Sequence, residues 1–207
     1  MKLAVFDFDS TLMDGETIDF LAAELGIEAQ VRVITERAMA GELDFHASLV
    51  ERVALLKGLK RARVEAITAA LPMMPGAAET VRGLQARGYK VVCFSGGFRC
   101  ATQPAAQRLG LDGEFANKLF DRDGVLTGEI GGEMMYGEAK GEMLERLQRL
   151  LGIARADTVV VGDGANDLSM FAHADTRIAF RAKPVLVAQA TDAITQKDLR
   201  AVLEIVR

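Results

Sequence analysis

Apolar and polar positions change rhythm several times along the chain. Leu3 to Phe6 is a short apolar run, the pattern of a strand buried on both faces. From about residue 15 to 72 the apolar positions recur at helical spacing, with no convincing strand. That spacing predicts helices over Glu16–Leu25 (closed by Gly26), Glu28–Ala40 (closed by Gly41), Asp44 to about Lys57 (with Asp44 as N-cap), and 61–71 (stopped by Pro72). From Pro75-Gly76 onward, strands and helices alternate. Helix Ala78–Arg87 ends at Gly88, and the apolar run Tyr89–Phe94 ends at Ser95-Gly96-Gly97. Helix Phe98–Leu109 then leads to an irregular β region from about Phe115 to Ile130, with a hairpin turn at Asp123-Gly124. A helix from about Glu138 to Leu151 precedes the run Thr158–Val161, which ends at Gly162-Asp163-Gly164. Helix Asn166–His173, strand Arg177–Phe180 and helices near 184–190 and 197–206 complete the pattern.

Alternating strands and helices predict an α/β fold with a mostly parallel sheet. Three apolar strands end at Asp7, Ser95 and Asp163. Open parallel sheets bind ligands outside the carboxyl ends of their strands, so these three polar motifs are expected to meet along one sheet edge. The helical block follows the first strand directly, which places it beside that edge as a lid.

Composition narrows the picture. The chain has 207 residues, half of them hydrophobic, enough for one sizeable core or a core with a small second module. A net charge of −4, with no clustered basic face, argues against a nucleic-acid partner. No run approaches the ~20 apolar residues that span a bilayer. The apolar N-terminus meets Asp7 too soon for a signal peptide. Cys93 and Cys100 lack metal-type spacing and read as packing residues, so the expected setting is reducing and cytoplasmic.

A buried strand has little reason to end on two like charges, because unpaired buried charge is costly. Asp7 and Asp9, two residues apart in an extended chain, point to the same side. One can act as a nucleophile and its neighbour as a general acid and base. Asp163 and Asp167 add two acids at a second strand end. The run is no dinucleotide fingerprint, since GxGxxG would need glycine at 167. It suits Mg²⁺, which takes one or two carboxylates, keeps waters and accepts phosphate oxygens. The expected ligands are the side chains of Asp7 and Asp163 and the main-chain carbonyl of Asp9. Ser95-Gly96-Gly97 reads either as a strand-to-helix turn or as a set of anion donors. Lys140 in the first turn of a helix opposes the helix dipole, and Gly141 beside it costs helix propensity. That local cost favours a place near a phosphoryl group over a solvated surface. Phe45, Leu49 and Arg52 fall at i, i+4 and i+7, which sets Arg52 at the edge of an apolar stripe. On spacing alone, Arg52 either snorkels to water or binds a carboxylate.

Together, Asp7-Phe8-Asp9-Ser10-Thr11, Ser95-Gly96, Lys140 and Gly162-Asp163-Gly164-Ala165-Asn166-Asp167 resemble the four motifs of the haloacid dehalogenase superfamily of phosphotransferases, in order and spacing. The resemblance implies a Rossmann-like three-layer αβα core over 1–14 and 75–207, with a small β-hairpin region at about 115–131. It implies an inserted helical cap over 15–74. It makes Asp7 the nucleophile that forms an aspartyl-phosphate, and Asp9 the acid that protonates the leaving oxygen and then activates water. Ser95, Gly96, Lys140 and Asn166 would hold phosphate or substrate, Asp163 would ligate Mg²⁺, and Asp167 would support the metal. Further stretches, Asp7–Asp19, Phe115-Ala116-Asn117, Ala139–Glu142 and Ala179–Pro184, resemble the members of that superfamily whose substrate is phosphoserine. This implies Arg52 on the substrate carboxylate, Glu16 on its ammonium, and Phe45 and Met39 as apolar walls. The implied partner is this small molecule alone, with no membrane, and the chain would be a monomer or homodimer. Two competitors stay open. One is the same fold acting on, or transferring phosphate from, another small phosphorylated metabolite. The other is a non-catalytic phosphate- or metal-binding protein of the receiver type, although receivers lack an acid at the position of Asp9 and lack a helical lid.

Overall fold

The computed structural model describes residues 1–206. Its elements run β1 (Lys2–Asp7), α1 (Thr17–Leu25), α2 (Glu28–Met39), α3 (Phe45–Ala54), α4 (Arg61–Ala69), α5 (Ala77–Ala86), β2 (Tyr89–Phe98), α6 (Arg99–Leu109), β3 (Gly113–Arg122) and β4 (Val125–Gly131). They continue through α7 (Ala139–Leu151), β5 (Thr158–Gly162), α8 (Leu168–Phe171), β6 (Thr176–Phe180), α9 (Pro184–Val187), β7 (Asp192–Ile194) and α10 (Val202–Ile205). The strands form one sheet in the order β4-β3-β2-β1-β5-β6-β7. Every pairing is parallel except that of β3 with β4.

Alternation along β1 builds the layers. Ala4 and Phe6 face a cluster with Val81 and Leu84 of α5 and Ala101 and Ala105 of α6. Leu3 and Val5 face the opposite cluster, with Met143 and Leu144 of α7, Met170 and Phe171 of α8 and Leu186 of α9. A strand covered on both sides has no polar face to offer, which is why Leu3–Phe6 reads as an unbroken apolar run. Helices α1–α4 pack around a third cluster that includes Ile18, Leu21, Val31, Leu49, Val53 and Val64. Leu126, with Leu119 and Ile130, joins this cluster from the β3–β4 hairpin. Main-chain bonds reinforce the joint: Gly58 N–H donates to Leu126 O at 3.0 Å, and Leu126 N–H to Leu59 O at 2.9 Å. Among the described residues, no helix is long and apolar enough to cross a membrane.

Most predicted stops hold. Gly26 closes α1 in the left-handed region, and Asp44 caps α3 by accepting from Ala47 N–H at 2.7 Å. The hairpin turn at Asp123-Gly124 places both residues at positive φ, as a two-residue turn between twisted strands requires. Three expectations need correction, and one strand has no counterpart among them. β2 does not end at Phe94 but runs through Ser95-Gly96-Gly97 to Phe98, because pairing with β3 resumes at Phe98–Asn117 after a register shift. The helix expected over Asn166–His173 is a 3₁₀ turn at Ala165–Asp167 followed by the short α8. Helix α3 ends at Ala54, and successive turns carry the chain to the hairpin. β7 was not expected, since three residues are too few to display a period.

Candidate active site

Strands β2, β1 and β5 are neighbours, and their register sets Asp7 beside Phe94 and Phe6 beside Val161, which gathers the three motifs. Asp7 is the last residue of β1. The chain then makes a wide turn over Phe8–Leu12, with Ser10 at φ 58°. A positive φ is strained for serine, and two bonds hold it there. Ser10 N–H donates to Gly15 O at 2.8 Å, and Ser10 Oγ donates to Glu16 Oε1 at 2.8 Å. The turn carries Asp9 to the start of α1, where its Oδ1 accepts from Thr17 N–H at 2.7 Å and from Thr17 Oγ1 at 2.6 Å. Asp9 Oδ2 lies 3.5 Å from Ser95 Oγ. The two aspartates of the motif therefore have different surroundings: Thr17 and Ser95 for Asp9, a buried charge cluster for Asp7.

That cluster is centred on Lys140, whose side chain is 3% exposed. Its Nζ lies 2.5 Å from Asp7 Oδ1 and 2.6 Å from Asp167 Oδ1. Gly141 accounts for this position. A Cβ there would meet Ser169 O at 2.6 Å, so only glycine lets the start of α7 approach α8 closely enough. The propensity cost visible in the sequence is the cost of that approach. Asp167 is fully buried and turns its Oδ2 back to accept from Asp163 N–H at 3.0 Å and Gly164 N–H at 3.1 Å. This ties down the loop after β5 and explains why a regular helix does not begin at Asn166.

Carboxylate oxygens of Asp7, Asp163 and Asp167 all lie within 4.8 Å of one another. Three carboxylates against one ammonium leave an excess of two negative charges. Burial, followed by the charge of Asp167, pushes the Asp7 carboxyl well above its ordinary range, with Lys140 opposing. Burial and then Asp167 push Asp163 up to about 6. For Lys140, burial works to lower its value, but Asp167 and Asp7 outweigh it and hold the ammonium charged. Burial also raises Asp9, against the bonds from Thr17. A buried, oxygen-only donor set with uncompensated negative charge suits a hard divalent cation.

Asp7, Asp9 and Asp163 open onto a cavity of about 710 Å³, which Glu16, Phe45, Met39, Arg52, Gly96 and Asn166 also line. Ser95 and Lys140 sit buried beneath its floor. The structure thus brings together every residue singled out from the sequence. Glu16 is pushed up to about 7, by burial first and then by the charge of Asp9. Arg52 donates its Nε–H to Ser48 O at 3.1 Å within its own helix, and among the described residues the rest of its guanidinium has no hydrogen-bond partner. A second cleft of about 720 Å³, between α4, α6 and β3, contains none of these residues.

The sequence pattern of haloacid dehalogenase-like hydrolases matches residues 1–175. The chain belongs to the haloacid dehalogenase-like hydrolase family. Within it, the chain is 58% identical over 203 residues to a phosphoserine phosphatase of Wolinella succinogenes, covering 98% of each chain. It is 48% identical over 206 residues to one of Methanocaldococcus jannaschii, covering 100% of this chain and 98% of the relative. Among solved structures, a phospho-aspartyl intermediate analogue of phosphoserine phosphatase superposes with a TM-score of 0.94 at 48% identity, covering 100% of this chain and 99% of that one. A substrate-bound phosphoserine phosphatase complex also gives 0.94 at 48% identity, covering 100% and 98%.

Thr17 and Lys183 are among the residues of this hydrolase's site that carry no assignment from the sequence. Thr17 makes the two bonds to Asp9, and Lys183 lines the cavity and donates its main-chain N–H to Asp163 O at 2.9 Å. Neither contact has a local spacing that would reveal it. Gly97 carries a direct prediction. A Cβ there would meet Asp9 Oδ2 at 2.7 Å and Ser95 Oγ at 3.1 Å, and Asp9 is held by Thr17. Gly97→Ala is expected to displace Asp9 and lower kcat by ~100-fold, the scale of a misplacement of about 1 Å within a site. The thermal midpoint should stay within a few degrees, and steady-state kinetics beside a melting curve checks both.

Proposed function

We propose that this chain is a Mg²⁺-dependent phosphoserine phosphatase that hydrolyses O-phosphoserine to serine and phosphate, the last step of serine biosynthesis. The observation that carries the reading is that one cavity joins two chemistries. Its floor holds Asp7, Asp9 and Asp163, with Ser95 and Lys140 beneath. Its wall toward α1 and α3 holds Glu16 and Arg52. A phosphate monoester bearing an ammonium and a carboxylate fits both ends. Full-length likeness to phosphoserine phosphatases supports the same substrate.

Asp7 attacks phosphorus in line, and its new P–O bond forms as the bond to the serine oxygen breaks. Asp9 gives that oxygen its proton, and the burial that raises its carboxyl favours the protonated form needed for this step. Serine leaves, and Asp9 takes a proton from water as the water attacks the phosphoryl group and releases Asp7. Lys140 and the Ser95 hydroxyl offset charge on the transferring oxygens, the main catalytic contribution in phosphoryl transfer. Asp7 and Asp163, with the Asp9 carbonyl, would hold Mg²⁺, and Asp167 would keep their loop in place. Bound there, Mg²⁺ supplies further charge neutralisation on those oxygens. Residues 15–74 would act as the lid, with Asn166 and Gly96 meeting the phosphate below it and Arg52 and Glu16 gripping the amino-acid end.

The test is phosphate release from L-phosphoserine with Mg²⁺ and with EDTA, beside a panel of small phosphomonoesters. Selective release that EDTA abolishes is expected. Release from other esters but not from phosphoserine would discard the roles of Glu16 and Arg52. Arg52→Ala is expected to raise KM for phosphoserine by ~100-fold, about the worth of a charged hydrogen-bonded pair, while barely changing hydrolysis of an aryl phosphate. Glu16 must be ionised to pair with ammonium, and its value in the free protein is about 7. As pH falls through that value, kcat/KM for phosphoserine should drop by a limb that aryl phosphate does not show and that Glu16→Gln removes.

A further inference from the structure

We infer that Asn117 is a positioning residue that sets the orientation of the Ser95 hydroxyl by holding the Gly96–Gly97 peptide. This rests on the proposed role of Ser95 as a donor to the phosphoryl group. Asn117 lies on β3, fully buried, outside the cavity and away from any reacting atom. Its side-chain amide donates to Gly96 O at 3.0 Å and to Met134 O at 3.0 Å. Its Oδ1 accepts from Met134 N–H at 2.9 Å. A buried carboxamide that fills three bonding positions on main-chain groups has one available orientation.

The consequence reaches the site through one peptide plane. Asn117 pins the carbonyl end of the Gly96–Gly97 peptide, and the N–H end donates to Ser95 Oγ at 2.9 Å. Ser95 Oγ accepts that bond with a lone pair, so its own hydrogen must point elsewhere. The acceptor within its reach is Asp9 Oδ2, 3.5 Å away on the cavity floor. A peptide between two glycines rotates easily, since neither residue has a Cβ to restrict it. Among the described residues, no other side chain bonds to the Gly96 carbonyl. Without Asn117 the plane can flip, Ser95 loses its donor from Gly97, and the hydroxyl is free to turn away. The clasp on both main-chain groups of Met134 ties the same residue to the segment that leads into Lys140. Asn117 therefore couples two motifs far apart in sequence. Gly132 packs against it so closely that a Cβ would meet Asn117 Oδ1 at 2.7 Å.

A double-mutant cycle with Ser95→Ala tests this. Asn117→Ala should lower kcat by ~10-fold or more, a fraction of the loss from deleting an oriented donor outright. KM should change less, and phosphoserine and aryl phosphate should suffer equally because the damage is at the phosphoryl end. In the Ser95→Ala background the same substitution should cost little further. Asn117→Asp keeps the acceptor for Met134 but loses both donors, and should behave like the alanine variant. Affinity for inorganic phosphate with Mg²⁺, read by thermal shift, should follow the same cycle without requiring turnover. If wild type hydrolyses aryl phosphate but not phosphoserine, the substrate assignment fails while the cycle still reads the Asn117 role. Multiplicative losses, a wild-type kcat in Asn117→Ala, or failure of both variants to fold would make Asn117 a scaffold residue and overturn the inference.

Discussion

Replacing Asp7 with asparagine is expected to abolish phosphate release from every phosphomonoester, a loss of at least ~10⁴-fold, the scale seen when an attacking residue is removed. The amide is close in shape to the carboxylate, so the cavity should keep its form, but it cannot supply the anionic oxygen that attacks phosphorus. Stability should move the other way. Burial and the neighbouring Asp167 raise the Asp7 carboxyl well above its ordinary range. Between the ordinary value and the raised one, the folded chain keeps a proton that the unfolded chain has released. Metal-free stability therefore falls as pH rises through that window. The amide does not titrate and adds no such slope, and Lys140 keeps its bond to Asp167. The variant should be inactive yet at least as stable as wild type near neutral pH without metal, and it should gain less from added Mg²⁺. Phosphate-release assays and melting curves with and without Mg²⁺ separate these effects. Substantial turnover by Asp7→Asn would mean that water attacks phosphorus directly, and the covalent route would fall.

The floor of the cavity was legible because each of its parts stands at the end of an apolar run. Asp7, Ser95 and Asp163 announce themselves where a buried strand stops, and parallel-sheet geometry then dictates that they meet. Lys140 was legible for another reason, since a lysine and a glycine in one first turn oppose local preference. Such conflicts tend to be resolved by function. What stayed hidden depends on contacts between distant segments. The β3–β4 hairpin joins the helical block by packing Leu119, Leu126 and Ile130 into its apolar cluster and by main-chain bonds, as between Gly58 and Leu126, and neither leaves a local spacing in the sequence. Thr17 and Asn117 act through side-chain bonds to groups whose positions exist only once the sheet is built. The extension of β2 through two glycines was equally invisible, because glycine weakens any strand pattern and only pairing with Asn117 restores it.

Lys140→Met should have the largest effect on stability. The ammonium is the cation in contact with Asp7 and Asp167, and Asp163 completes the acidic group. Methionine fills much of the same volume but leaves the carboxylates without their counter-charge. Removing one partner of a buried ion pair costs about 3–5 kcal/mol, and at ~2–4 °C per kcal/mol for a chain of this size the metal-free midpoint should fall by about 10 °C near neutral pH. The loss should shrink toward about pH 5, because the raised Asp7 and Asp163, the latter at about 6, become protonated and no longer need a cation. Mg²⁺ should restore more stability to the variant than it adds to wild type, since a site carrying one more net negative charge binds a divalent ion more tightly and binding to the folded state stabilises it by mass action. Turnover should stay low even with saturating Mg²⁺, because the transferring oxygens have lost the ammonium. Denaturant titrations at acid and neutral pH, with and without Mg²⁺, check all three statements. An equal stability loss at both pH values and no extra rescue by Mg²⁺ would make Lys140 a packing residue whose charge has little bearing on the fold.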